Sequence, residues 1–326
     1  MTLRSRPQQS RPRKCTAPKM GILGAGSMGL LWASQLVHSH PVTLINNKPV
    51  PNRQLAFSVQ HQDQVTQTRI RSLTATEVEA PVECLLVCTK SYDTARAVQG
   101  VLNRLCPTGN ILLLQNGLGS QDEVVQLLAD SGLDDVHVYA LSTTEGANRA
   151  SDTELIYAGK GSSWLGPYNQ PARQHNRADS LARDISRSGL TVIHESEIQR
   201  RLWKKLMVNC GINPFTVLLN CPNGHILNTP LFAEHIDSLA LELEQISSHA
   251  GNAMSARQIK ADIIEVATRT RENISSTLQD VRAGKKTEMD YMNGYINRYA
   301  MTNGIPAPVN RMLYQEVNKV SQTRTP

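Results

Sequence analysis

Short apolar runs alternate with amphipathic, helix-like segments through the first half of the chain. Each run is at most eight residues long and is bounded by Gly, Pro or Asn. Runs of this kind are typical of parallel strands that are buried on both faces and joined by helical crossovers. The pattern therefore predicts an α/β domain whose strands include KMGILGAG, PVTLIN, CLLVCTK, ILLLQNG and VHVYALST, all between residues 19 and 143.

The pattern changes further along the chain. Around residues 154–166, TELIYAG and GSSWLG flank a glycine-bearing turn and predict an antiparallel hairpin at the sheet edge, while LTVIHE at 190–195 predicts the last strand. After Ser196, long stretches with a 3.6-residue period take over. We therefore expect an α/β domain over residues 19–196 and an all-α domain over residues 197–326, with a ligand cleft between them.

Residues 1–18 differ in composition from the rest of the chain. They are polar, contain proline and lack the apolar spacing needed to pack, so we expect a disordered tail. Six basic residues and no acid fall in the first twenty positions, which leaves 34 − 6 = 28 basic residues against 28 acids elsewhere. The body is therefore formally neutral, which argues against a nucleic-acid surface. The tail is a solvated extension or an upstream start before Met20, an organellar transit peptide, or a partner-binding arm.

The cysteines and the uncharged stretches narrow the class of protein further. Six cysteines lie scattered without a C-x-x-C pair, which predicts reduced thiols and neither a zinc site nor a disulfide. Residues 20–47 carry no charge, but Gly, Ser, Gln, His and Pro interrupt them and make a poor membrane span. We expect a cytoplasmic protein with a small-molecule ligand and no metal, membrane or nucleic-acid partner; a monomer and a homodimer both stay open.

The first predicted strand runs into a glycine-rich turn. Gly24, Gly26 and Gly29 have G-x-G-x-x-G spacing between a strand and a helix. The first glycine permits a tight turn, the second lets a pyrophosphate approach the backbone, and the third lets helix and strand pack closely. Amides at the helix N-terminus then favour phosphate. Rather than a purely structural turn, we expect a Rossmann-type dinucleotide-binding domain whose contacts are Gly24, Ala25, Gly26, Ser27, Met28 and Gly29.

The end of the second predicted strand indicates which nicotinamide cofactor is bound. An NAD site usually carries Asp or Glu there for the ribose hydroxyls. Here the strand ends in Asn46, Asn47 and Lys48, with Arg53 close behind, and the first acid of the chain is Asp63. A 2′-phosphate is therefore favoured, which predicts NADPH or NADP as cofactor, with Asn47 and Lys48 as contacts and Arg53 as a weaker candidate.

Two later strand ends carry polar residues that we expect to face the same cofactor crevice. Lys90 closes CLLVCTK, and Asn116 follows ILLLQ within QNGLG. Ligands of such sheets bind at the carboxyl ends of the parallel strands. The alternatives are a solvated loop charge for Lys90 and an ordinary turn residue for Asn116.

The helix predicted over residues 200–213 places polar groups in an apolar stripe. With Lys205 at zero, Asn209 falls at about 40° and Asn213 at about 80°, whereas Lys204 falls at about 260°. One lysine of the adjacent pair therefore faces solvent, and the other lies among apolar side chains with two amides. Such groups are costly to bury unless a ligand or partner satisfies them, which indicates a site. The alternative is an ammonium that reaches the rim while the amides cap local backbone.

A second predicted helix, over residues 286–300, places Glu288 on its packing face with Met292, Tyr295 and Ile296. A buried ion pair within the helical domain is the alternative to a functional role. Both anomalies fit hydride transfer to a ketone, because the developing alkoxide needs a proton and preorganised positive charge. Lys205 can supply both as general acid, and Glu288 can hold a substrate hydroxyl or the lysine.

At this point the chain resembles the ketopantoate reductase family. The resemblance rests on GAGSMG, CTK, QNGLG, LWKKLMVNCGINPFTVLLNCPNGHIL and ENISSTLQDVRAGKKTEMDYMNGYI, of which GAGSMG is shared with many dehydrogenases. It implies NADPH-dependent reduction of 2-dehydropantoate (ketopantoate) to pantoate on the route to pantothenate and coenzyme A. Among the residues, it implies Lys205 as general acid, Glu288 as ligand of the substrate hydroxyl, Asn209 and Asn213 as substrate-site amides, Ser276 as ligand of the substrate carboxylate, Asn273 as a weaker contact, and Asn116 and Lys90 near the nicotinamide ribose.

One departure from the family and two alternatives remain. Members often carry an arginine for the 2′-phosphate at the end of the second strand, where this chain has Asn47, and Lys48 or Arg53 then substitutes. The chain could instead reduce another 2-oxo acid or an imine. A non-catalytic NADPH-binding regulator that uses the basic tail to hold a partner is the alternative from a different class.

Overall fold

The computed structural model describes residues 19–324, so the tail prediction for residues 1–18 lies outside the described part. Eleven strands of this part form one mixed sheet. They are β1 (Met20–Leu23), β2 (Val42–Asn46), β3 (Gln54–His61), β4 (Gln64–Thr74), β5 (Val82–Val87), β6 (Leu105–Leu113), β7 (His137–Thr143), β8 (Gly146–Ser151), β9 (Glu154–Gly159), β10 (Ser163–Pro167) and β11 (Val192–His194).

The helices of the described part divide between the two halves of the chain. Five α-helices alternate with the strands along the chain, and six come after the last strand. They are α1 (Ser27–Leu36), α2 (Thr94–Gln99), α3 (Ser120–Asp130), α4 (Gln170–His175) and α5 (Ala178–Ser186), then α6 (Ile198–Leu219), α7 (Pro230–His249), α8 (Ala256–Arg269), α9 (Ser276–Arg282), α10 (Asn293–Thr302) and α11 (Pro308–Arg324). None of them, within the described residues, has the length and apolar character that crossing a bilayer requires.

The centre of the sheet is parallel and contains the five predicted runs. The strand order is β11-β10-β7-β6-β5-β1-β2-β4-β3-β9-β8. Strands β7, β6, β5, β1 and β2 are parallel neighbours. Their carboxyl ends therefore lie side by side along one edge, which is where ligands bind in open α/β sheets. The prediction of a Rossmann-type sheet followed by helices is confirmed.

The predicted hairpin over residues 154–166 is wrong. Strand β9 pairs with β8 in an antiparallel hairpin and with β3 in parallel, whereas β10 pairs with β7 and β11. The two segments therefore lie near opposite edges of the sheet. The reason lies in the linker, where the amide of Thr144 donates to the carbonyl of Ser162 at 2.9 Å and starts β10 along β7 instead of returning it along β9.

The helical half shares its core with one face of the sheet. A single apolar cluster includes Val87 and Leu113 of the sheet, Leu206 and Phe215 of α6, and Val317 of α11. Helix α6 lies at the centre of the helical half and packs against α7, α8, α9 and α11, as well as against β7 and β10. This continuous packing fixes α6 relative to the carboxyl ends of the strands.

Candidate active site

The glycine-rich turn has the geometry that its spacing predicts. Gly24 adopts φ +106°, and a Cβ on Gly29 would lie 1.8 Å from the carbonyl oxygen of Gly24, so neither position accepts a side chain without strain. A Cβ on Gly26 would meet open space. Helix α1 begins at Ser27 with no side-chain cap and no acid in its first turn. The turn therefore fits the pyrophosphate of a dinucleotide, which would lie beside Gly26 at the helix N-terminus.

The end of β2 presents Asn47 and Lys48 to solvent, and both are exposed. Arg53 is different, because its Nε lies 3.4 Å from the carboxylate of Glu77. Glu77 also accepts from the amide of Thr74 at 2.8 Å and from its hydroxyl at 3.0 Å, and these bonds lower the pKa of its carboxyl. Glu77 is distant from Arg53 in the sequence but lies beside it in the structure and neutralises part of its charge. Asn47 and Lys48 remain the better candidates for a 2′-phosphate.

The loop after β6 is held against the turn that follows Glu288. Gly117 adopts φ +81°, and a Cβ there would lie 2.0 Å from the carbonyl oxygen of Tyr291. That same carbonyl accepts from the amide of Leu118 at 2.9 Å. Gln115 connects the loop to β5 by donating to the carbonyl of Val87 at 2.9 Å. Asn116 is therefore fixed between the ends of two parallel strands and the helical half.

Lys90 joins the sheet to the helical half through two carboxylates. Its Nζ lies 2.6 Å from Oδ2 of Asp280 on α9 and 3.5 Å from Oε2 of Glu288. Burial acts to lower the pKa of Lys90, but the charges of Glu288 and Asp280 outweigh it and raise that pKa. Lys90 is therefore a protonated bridge between two carboxylates and not an isolated loop charge.

Glu288 is held in place by the residue that follows Lys90. Its Oε1 accepts from the amide of Ser91 at 3.0 Å and from the Ser91 hydroxyl at 2.8 Å. The same hydroxyl lies 2.7 Å from the carbonyl oxygen of Asn116. One short network thus contains Lys90, Glu288 and Asn116, three of the residues singled out from the sequence.

Sequence reasoning missed Ser91 and Asp280 in this network. Asp280 is buried on α9 beside the buried residues Thr277 and Val281, three positions before it and one after it. An acid within such an apolar stripe was a usable signal. Ser91 carried no signal beyond its place after a strand end.

The helix predicted around Glu288 is wrong in its start. The chain forms a short 3-10 turn over Met289–Tyr291, and Met292 has φ −113° and ψ −105°, which is not helical. Helix α10 begins only at Asn293. Glu288 is nevertheless 4% exposed, because Ser91 and Lys90 cover it from the sheet side. The ion pair proposed as an alternative exists, but it joins the two halves of the chain instead of lying within the helical one.

Lys205 occupies the position in α6 that its periodicity predicts. It is half-buried, whereas its neighbour Lys204 is exposed and lies 3.0 Å from Asp262. The Nζ of Lys205 donates to the carbonyl of Thr143, the last residue of β7, at 3.0 Å. Burial lowers the pKa of Lys205 to about 8; the Glu288 carboxylate opposes this shift and the Arg201 guanidinium adds to it.

The amides predicted beside Lys205 also lie on the inner side of α6. Asn209 is half-buried, and Asn213 is 6% exposed. The side-chain amide of Asn213 donates to the hydroxyl of Thr277 at 3.1 Å and contacts the Met292 sulfur at 3.4 Å. Asn213 therefore connects α6 to the start of α9, which is where the next candidate, Ser276, begins that helix.

Two family models match this chain. The family model for the ketopantoate reductase PanE/ApbA matches residues 20–170, and the model for its C-terminal part matches residues 197–321. The chain belongs to the ketopantoate reductase family. A 2-dehydropantoate 2-reductase of Shigella flexneri is 32% identical over 305 residues, which cover 92% of this chain and 94% of that protein.

Solved structures show the same fold as this ketopantoate reductase family member. The PanE/ApbA family ketopantoate reductase of Ralstonia eutropha JMP134 has a TM-score of 0.82 at 23% identity, covering 94% of this chain and all of that one. A D-mandelate dehydrogenase in a ternary structure with NADH and anilino(oxo)acetate has a TM-score of 0.83 at 20% identity, with the same coverage. The architecture thus serves more than one dehydrogenase.

The remaining candidates of the family pattern are exposed residues at and before the start of α9. Ser276 is exposed at the first turn of α9, after Ser275, whose hydroxyl caps that helix by accepting from Leu278 at 3.1 Å. Asn273 is exposed, and its carbonyl accepts from the amide of Asn223 at 2.9 Å. Their roles stay predictions that the resemblance supplies.

Proposed function

We propose that this protein is an NADPH-dependent 2-dehydropantoate 2-reductase that reduces the ketone of a small 2-oxo acid to a secondary alcohol. The observation that carries the proposal is Lys205. It is a half-buried ammonium at the carboxyl end of β7, bound to the carbonyl of Thr143, with a pKa of about 8. A proton donor with a pKa near neutrality is suited to general acid catalysis at physiological pH. Family membership supplies the substrate.

The cofactor is held by the carboxyl edge of the sheet in this proposal. The turn from Gly24 to Gly29 would carry the pyrophosphate, Asn47 and Lys48 the 2′-phosphate, and Asn116 the nicotinamide end. NADPH bound there supplies the hydride. Because β5, β6 and β7 are neighbours, the ends that carry Lys90, Asn116 and Thr143 border one space.

Lys205 provides the proton and the positive charge for the substrate oxygen. An ammonium has three N–H donors, and Thr143 uses one of them. The remaining donors can meet the oxygen as its negative charge develops, and one proton then passes from Nζ to that oxygen. Burial makes this transfer easier, since it destabilises the charged lysine relative to the neutral amine.

Glu288 orients the substrate in this mechanism. Ser91 holds its Oε1, while Oε2 faces Lys90 at 3.5 Å and is therefore the oxygen available to a substrate hydroxyl. Its charge also keeps Lys205 protonated by raising the pKa of that lysine. The exposed Ser276 would meet the substrate carboxylate, and the buried Asn213 would meet its neighbouring groups, with Asn209 and Asn273 as further contacts.

The test is NADPH oxidation on addition of 2-dehydropantoate to the purified chain. We expect turnover with a higher kcat/KM than for pyruvate, 2-oxoisovalerate or an imine adduct, and a higher kcat/KM with NADPH than with NADH. A competitor with a higher kcat/KM would assign another substrate. Cofactor binding without turnover of any of these substrates would support the regulator instead.

A further inference from the structure

A cation from the far edge of the sheet contacts the glycine-rich turn. Arg149 lies in β8, which packs beside α1, and its Nη1 donates to the carbonyl of Ala25 at 3.2 Å. Ala25 stands between Gly24 and Gly26, the two residues that shape the space for a pyrophosphate. Nothing in the sequence around residue 149 marks it as part of that turn.

The other bonds of Arg149 fix its orientation and leave its charge weakly neutralised. Its Nε donates to the carbonyl of Ser151 at 3.1 Å, and its Nη2 to the carbonyl of Asp152 at 3.2 Å. The charged partner is the carboxylate of Asp152 at 3.0 Å, whose side chain is fully exposed. An exposed ion pair of this kind contributes little, so a bound anion can replace it.

The segment that forms the turn contributes no Lys or Arg side chain of its own. Residues 20–47 contain no Lys, Arg, Asp or Glu, and helix α1 starts without a capping side chain. A guanidinium presents planar paired donors that suit phosphate oxygens. Its position at Ala25, beside the open space at Gly26, matches the place of a pyrophosphate.

We propose that Arg149 binds the pyrophosphate of the dinucleotide, exchanging the Asp152 carboxylate for a phosphate oxygen. The proposal rests on the proposed function, because it assumes that a dinucleotide occupies the turn. It assigns to the β8–β9 hairpin, which packs against α1, the role of closing the cofactor site beside the glycine-rich turn.

The experiment measures binding to the ligand-free protein by calorimetry, with four probes: NADPH, NADH, ADP-ribose and 2′-AMP. ADP-ribose contains the pyrophosphate without the 2′-phosphate, and 2′-AMP the reverse. We expect Arg149→Met to weaken NADPH, NADH and ADP-ribose by the same factor, roughly tenfold, as for loss of a charge-assisted hydrogen bond. Binding of 2′-AMP should not change. The exposed Arg69 on β4 gives the control, since Arg69→Met should leave all four unchanged.

Two further variants separate charge from simple bracing of the turn. Arg149→Lys keeps the charge, while Arg149→Gln keeps a donor for the Ala25 carbonyl without the charge. We expect the lysine variant, which keeps the charge but loses the paired donors, to bind ADP-ribose less tightly than the wild type and more tightly than Arg149→Met. The glutamine variant should match Arg149→Met. The opposite ranking would overturn the proposal, as would a loss confined to 2′-AMP and NADPH or no loss with any probe. If the wild type itself binds neither NADPH nor NADH, the proposed function fails rather than this inference alone.

Discussion

Replacing Arg201 or Glu288 should move the alkaline limb of the pH–rate profile in opposite directions. The reduction needs protonated Lys205, so kcat/KM should fall as the pH rises through the pKa of that lysine, about 8. Arg201 lowers this pKa and Glu288 raises it. The limb should therefore lie at higher pH in Arg201→Met and at lower pH in Glu288→Gln.

The size of the Arg201 effect follows from the helix. Arg201 and Lys205 are one turn apart on α6, and residues so spaced have Cβ atoms about 6 Å apart. Two like charges on side chains so spaced repel by about 1 kcal/mol when the effective dielectric constant lies between that of water and that of a protein surface site. Loss of Arg201 should thus raise the ammonium-to-amine ratio of Lys205 roughly fivefold.

The assay is the initial rate of NADPH oxidation at limiting 2-oxo acid, from about pH 6.5 to pH 10, the range on either side of the Lys205 pKa. Methionine keeps an unbranched stem over the Trp164 ring, on which the Arg201 guanidinium stacks at 3.1 Å. Arg200→Met is the control, because Arg200 is exposed and lies on the opposite face of α6 from Lys205. Since Glu288→Gln also loses a substrate contact, only the position of its limb is compared. An alkaline limb at the same pH in wild type, Arg201→Met and Glu288→Gln would refute the assignment of Lys205 as the acid.

Three further predictions use contrasts between neighbouring residues. Lys205→Met should lower kcat by about 10²–10⁴-fold with little change in NADPH affinity, whereas Lys204→Met should leave steady-state kinetics unchanged. Gly29→Ala should lower the thermal midpoint, because its Cβ would overlap the Gly24 carbonyl, whereas Gly26→Ala should keep the midpoint and lose NADPH affinity by fluorescence titration. Asp280→Asn should raise KM for the 2-oxo acid more than it lowers kcat, because the Lys90 ammonium then pairs with Glu288 alone and competes with the substrate hydroxyl for its Oε2. An unchanged KM would contradict a role of Asp280 in holding Lys90 away from Glu288.

The central strands were predictable because both of their faces are buried. Residues such as Ile22, Leu86 and Leu112 are fully buried and give continuous apolar runs. Strands β3 and β4 left no such signal, since they bury one face only: Phe57 and Ile70 alternate with exposed or half-exposed residues. Their polar positions lowered the local hydropathy below that of a recognisable run.

The site residues were predictable where they lie on a single helix. Lys205, Asn209 and Asn213 share one helix, so a fixed rotation per residue was enough to place them. Glu288 was also singled out, but its contacts were not predictable, because it stands on a broken turn whose burial depends on Ser91 across the sheet edge. Contacts of this range arise from the packing of distant segments, and a local period does not encode them.

The parallel pairing of β3 with β9 brings Ser58 opposite Glu154, almost a hundred residues later in the chain. During synthesis at roughly 5–20 residues per second, β9 is made about 5–20 s after β3. The edge of β3 that pairs with β9 therefore stays unpaired for that time. An unpaired strand edge invites pairing with other chains over that interval. Nascent molecules halted shortly before residue 150 should therefore be the ones that bind chaperones and aggregate most readily.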